Sequence, residues 1–227
     1  MKKSAYLLLL IGFLLSCTQT KKKVIFYPVQ SKKYQMNMIT DRLNLIYEVR
    51  NDFENEDNKV HMTTTIENIS YINGSSDMGS DVNADFQRYI GNKIYTTYDL
   101  KGHCEGEVDH LGGINPKLFV VELPDQEIKV GDTWTGEIVS RPDLIFDTLK
   151  TSYKCVSINK ESITLEVIMD FEMSKNKDSE SSQKISRKYS GIYVIDFYGA
   201  VKGASLDMSG FSGLSQINGK ILINEIK

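Results

Sequence analysis

Residues Ser162–Met173 read SITLEVIMDFEM, and their pattern decides the fold. Ile163, Leu165, Val167, Met169, Phe171 and Met173 alternate with Thr164, Glu166, Asp170 and Glu172. Successive side chains of a β-strand point to opposite faces, so this stretch predicts a long strand with one apolar face. RLNLIYEVR (42–50) repeats the pattern, with Leu43, Leu45, Tyr47 and Val49 opposing Arg42, Asn44, Glu48 and Arg50. KVHMTTTIENISYING (59–74) alternates through Val60, Met62, Thr64 and Ile66, then changes phase at Ile69 and Tyr71. That slip predicts a β-bulge near Asn68. NDFENEDNK joins these two stretches as a long hairpin.

Further strands are predicted outward from these. KIYTTYDLKGHCEGEV (93–108) carries Ile94, Thr96, Tyr98, Leu100, Cys104 and Val108 on one parity. TLKTSYKCVSI groups Leu149, Tyr153 and Cys155, and GKILINEIK ends the chain as a strand that ties down its terminus. Leu118–Glu122 reads as a strand ended by Leu123-Pro124. One short helix is expected at VNADFQRYI (82–90), capped by Asp81 and stopped by Gly91. SKNKDSESSQKISRK (174–188) lacks an apolar period and reads as a mobile hairpin tip or loop.

The composition agrees. Twelve tyrosines, nine phenylalanines and many β-branched residues, with four prolines and one tryptophan, suit half-buried strands. The net charge of -3 is slight and no basic patch follows Lys21–Lys23, which argues against nucleic acid as a partner. The expected fold class is all-β.

The lead of the chain has a different character. Lys2 and Lys3 precede an apolar run from Tyr6 to Leu15. Such a run covers about half of a ~30 Å hydrocarbon core, too little for a permanent span and right for a signal peptide. It ends Leu14-Leu15-Ser16-Cys17, which resembles the bacterial lipobox. The resemblance implies a signal peptide over 1–16, fatty acylation of Cys17 and membrane attachment through that lipid, with residues 17–33 as a tether. Lys21–Lys23 would sit near lipid headgroups. No acidic residue directly follows Cys17, which by analogy with other lipoproteins favours the outer membrane.

Two stretches share a pattern. YTTYDLKGHCEGEVD holds Asp99-x-x-Gly102-x-x-x-Gly106, and YVIDFYGAVKGASLD holds Asp196-x-x-Gly199-x-x-x-Gly203. Aspartate caps its own turn and glycine supplies positive φ, so both predict the same turn. This suggests two related antiparallel β halves, 34–124 and 125–227, forming a curved sheet or a sandwich. The phrase LPDQEIKVGDTW (123–134) resembles one found in Bacteroidetes envelope lipoproteins of a domain family of unknown function. The later Tyr193, Ile195, Asp196 and Gly199 fit as well. The resemblance implies an all-β, duplicated lipoprotein and brings no catalytic residues.

Chemistry is sparse. HCEGEVDH gathers His103, Cys104, Glu105, Asp109 and His110, the residue types that hold zinc. On a strand, however, Cys104 points away from His103 and Glu105, so a polar strand end is the plainer reading. Cys104 and Cys155 could pair in an oxidising envelope or remain buried thiols. No nucleophile elbow or phosphate-binding glycine pattern occurs, and no cofactor is implied. Trp134 reads as a core or sheet-edge anchor, with a sugar-stacking platform as the alternative. Met36, Met38, Met169 and Met173 could line a concave face for an apolar ligand. The expected function is a non-catalytic, lipid-anchored envelope protein presenting a sheet surface to an apolar or envelope ligand. Two alternatives are a structural subunit of an outer-membrane complex and a hydrolase.

Overall fold

The computed structural model describes residues 20–41, 43–72, 86–105, 114–139, 146–174, 184–212 and 215–227. The chain is all-β. Its strands are β1 (Lys21–Lys22), β2 (Lys32–Thr40), β3 (Asn44–Glu56), β4 (Lys59–Tyr71), β5 (Lys93–Asp99) and β6 (Cys104–Glu105). The later ones are β7 (Ile128–Lys129), β8 (Thr133–Val139), β9 (Phe146–Ile158), β10 (Ile163–Ser174), β11 (Lys184–Ile195), β12 (Val201–Ser212) and β13 (Ser215–Ile226). Eleven form one curved antiparallel sheet in the order β6-β5-β4-β3-β2-β13-β12-β11-β10-β9-β8, while β1 pairs with β7. Of the two arrangements expected, the curved sheet is the one formed. The final strand lies between β2 and β12 and so joins the early strands to the late ones.

Alternation explains which face is inside. Tyr34 and Met36, Leu45, Tyr47 and Val49, and Leu165 and Val167 are buried on their strands. Glu48 pairs with Asn68 and Val49 with Ile66, which leaves Glu67 as the extra residue of the bulge predicted near Asn68. That bulge restores the inward phase for Ile69.

Several elements differ from expectation. Leu118–Glu122 is not a strand. Pro116–Phe119 is a 3₁₀ turn, because Asn115 accepts a hydrogen bond from the Lys117 amide and proline opens the turn. Residues 120–123 then run extended, with one bridge from Val120 to Ala200. Ile114, Leu118, Phe119, Val121 and Leu123 are buried, so this connection fills the inside of the sheet. Tyr34 packs its ring 4.9 Å from that of Phe119, and the Tyr193 hydroxyl donates to the Leu118 carbonyl at 3.1 Å. β11 starts at Lys184, inside the stretch read as a hairpin tip or loop: paired between β10 and β12, polar residues need no apolar period to extend. Of the expected helix, residues 81–85 lie outside the described residues. Phe86 and Gln87 are helical, as expected, and residues 88–91 close as a turn, with Tyr89 N donating to Phe86 O and Ile90 N to Gln87 O. Gly91 follows at φ +81°. Within the stretch read as a tether, Val24 and Phe26 are buried, so the packed body begins before Tyr34.

Candidate functional site

The two Asp-x-x-Gly turns have one hydrogen-bond scheme. Asp99 Oδ1 accepts from Lys101 N and His103 N, and Asp196 Oδ1 accepts from Tyr198 N and Ala200 N. Gly102 N donates to Asp99 O, as Gly199 N does to Asp196 O. The glycines have φ of +80° and +73°. Both turns lie at the same end of the sheet as the start of the described chain. Phe26 N donates to Leu100 O, Tyr27 N to Tyr198 O, and Leu123 N to Lys101 O.

The first turn forms one wall of an open cleft of about 420 Å³, lined by Lys101, His103, Glu122, Leu123, Trp134 and Thr135 among others. Most of its charges are engaged. His103 Nδ1 lies 2.9 Å from Asp99 Oδ2, and Lys101 forms an ion pair with Asp125. Burial alone would push the Asp99 carboxyl up, but hydrogen bonds from His103 and from the Lys101 and His103 amides hold it below the usual carboxylate range. Asp125 is lowered by the hydrogen bond from Lys101.

Glu122 is the exception. It is 7% exposed, and its Oε2 has no hydrogen-bond partner among the described residues. Its amide donates to the Tyr153 hydroxyl at 3.4 Å and its carbonyl accepts from Trp134 Nε1 at 2.7 Å. Burial pushes its carboxyl above the ordinary value, against the opposing pull of Lys117 and His103. Gly136 makes this placement feasible, since a β-carbon there would overlap Glu122 Oε2. The Trp134 ring stacks on Tyr153 with centroids 5.4 Å apart and 19° between planes. Trp134 is therefore held as a sheet-edge anchor while lining the cleft. Behind Glu122 lies a small space of about 20 Å³ bordered by Tyr98, Lys117, Thr151, Tyr153 and Met169. Burial lowers the Lys117 ammonium from its usual value.

The residues singled out in sequence are dispersed. The His103 ring is engaged by Asp99, and Glu105 pairs with Lys59 at 2.6 Å, so the two do not share a ligand. Asp109, His110 and Cys17 lie outside the described residues. Cys104 and Cys155 are free thiols. Burial raises both, Cys104 with Lys117 and Glu122 nearby and Cys155 with Asp132 nearby. Met36 and Met169 are buried in the filled core and Met38 packs against it, so they do not line an open apolar face; the Met173 side chain is not among those described. Glu122 escaped notice because acidic residues read as solvated in an extended stretch. Its one sequence signal is its place between Val121 and Leu123 in an otherwise apolar run.

Chemically, the cleft has Glu122 in its lining, an aromatic wall and a histidine oriented by an aspartate. Thr135 supplies a hydroxyl, but among the described residues no hydrogen bond ties it to His103, as activation of a nucleophile would need. Compared with known protein families, curated proteins and solved structures, the chain matches none.

Proposed function

We propose that the chain is a lipid-anchored protein of the cell envelope that binds, without catalysis, a hydrogen-bond-donating envelope component in the cleft beside Trp134. The anchor rests on the charged start, the Tyr6–Leu15 run and Leu14-Leu15-Ser16-Cys17, with acylation at Cys17 and the outer membrane as destination. The likeness of residues 123–134 to envelope lipoproteins of the Bacteroidetes supports the same reading. So does a two-fold internal repeat, for which the matched turns at Asp99 and Asp196 speak.

One observation carries the binding half: Glu122 lines an open cleft, and its buried Oε2 has no donor among the described residues. A buried acceptor left unmatched costs about 1–3 kcal/mol, so a ligand donating to it recovers that loss. A large apolar ligand finds less support, because residues 114–123 fill the inner face of the sheet. The raised Glu122 carboxyl beside the His103–Asp99 pair favours a hydrolase as the second reading.

Trp134, the single tryptophan, is a built-in reporter. Titration with muropeptides, amino sugars and polyamines is expected to give a saturable emission change that Glu122→Ala abolishes. Conversion of any of these into product would establish the hydrolase instead. Globomycin treatment with mass measurement of the amino-terminal peptide tests the anchor.

A further inference from the structure

Residues 23–29 form an extended row with a strict alternation. Val24, Phe26 and Pro28 are buried, while Lys23, Ile25, Tyr27 and Val29 point outward. The three outward apolar residues are 40%, 37% and 60% exposed. Lone exposed apolar side chains are ordinary on protein surfaces, but this row has neighbours. Tyr27 N bonds to the carbonyl of Tyr198, itself 54% exposed. Lys22 Nζ sits 4.9 Å above the Phe197 ring. β1 pairs Lys21 with Lys129 and Lys22 with Ile128, which brings Val130, 42% exposed, alongside. Ile25, Tyr27, Val29, Tyr198 and Val130 thus share one end of the molecule with Lys21–Lys23 and Lys129. Asp132 lies against Lys129, and the three lysines of the row start have no acidic partner among the described ion pairs.

We propose that this end docks directly on the lipid surface, so that the body lies flush against the bilayer instead of swinging on a tether. The inference rests on acylation at Cys17. The first described strand begins at Lys21, four residues after Cys17, and four residues span at most ~14 Å. An acylated Cys17 therefore holds Lys21 at headgroup depth whatever the body does. From there the chain continues as a basic, then aromatic and aliphatic outward row, the composition that partitions into the interface. Tyrosine suits that depth because its ring is apolar and its hydroxyl is wet. Both turns and the cleft at Trp134 then sit close to the membrane, while the far ends of β10 and β12 point away.

The test uses the full acylated chain, extracted from membranes and returned to vesicles of phosphatidylethanolamine and phosphatidylglycerol carrying brominated acyl chains. Tyr27→Trp, in a Trp134→Phe background, is expected to lose most of its emission to the bromines. Phe211→Trp in the same background lies ten residues along β12 from Val201, ~33 Å away, and is expected to keep its emission. Val29→Trp is the second reporter should Tyr27→Trp fold poorly. If the acylated Tyr27→Trp and Val29→Trp proteins both escape quenching, docking is overturned and the anchor stands. An amino terminus without fatty chains would overturn both.

Discussion

The Glu122 carboxyl is held with one oxygen buried and without a donor among the described residues. Burial favours its neutral form, so its pKa in the folded chain lies above the unfolded value. The sign of the pH effect follows. Below the ordinary carboxyl pKa of about 4.3 the group is protonated folded or unfolded, and its burial carries no charge penalty. As pH rises through the raised folded value, the unfolded chain releases the proton more readily and stability falls. Glu122→Gln removes that dependence. Its melting temperature is expected to match the parent near pH 4 and to exceed it at neutral pH by about 2–4 °C, which corresponds to about 1 kcal/mol at this chain length. Thermal unfolding at several pH values measures this, and an unchanged difference across the range would show that Glu122 finds a donor.

Among the elements, the two aspartate turns repeat one solution. Each satisfies two backbone amides with one carboxylate oxygen and places a glycine at positive φ. Asp196→Ala leaves the Tyr198 and Ala200 amides unmatched, and also removes an ion-pair partner of Lys32 at 3.2 Å. A loss of about 1–2 kcal/mol in urea unfolding is expected, with a similar loss for Asp99→Ala. These turns were legible in the sequence because their chemistry is local: aspartate and glycine dictate the bend without reference to the rest of the fold. The strands and the slip at Glu67 were legible for the same reason, since period two survives any choice of partner. The filling of the interior was not. Leu118–Glu122 reads as a strand by its apolar content, yet alternation reports only that residues are buried, never by which element. The cleft was hidden for a related reason. Glu122, Trp134 and His103 belong to three separate stretches, and only the curl of the sheet brings them together.

At the scale of the molecule, early and late strands share one sheet through β13 and share one seam through the extended segments around Phe26 and Leu123. Phe26 packs edge-on against Phe53 and Tyr98 of the early strands, at 6.2 and 5.5 Å. Its Cα would lie 3.1 Å from a β-carbon at Gly199 in the late turn. Leu123 bonds the early turn at Lys101 and also approaches Gly199 through Cδ1. Neither set of strands can therefore unfold without exposing what covers the other. A single cooperative transition follows, although the chain is long enough for two small domains. Phe26→Ala removes a fully buried ring at a cost of about 3–5 kcal/mol, which at this size lowers the melting temperature by ~10 °C. The informative readout is the pairing of two probes. Far-ultraviolet circular dichroism follows all the strands, whereas Trp134 emission follows β8 and β9 in the late part of the chain. Both are expected to shift together in Phe26→Ala. A Trp134 transition that stays at the parent temperature while the dichroism splits would mean that the two sets of strands fold independently and that the seam does not couple them.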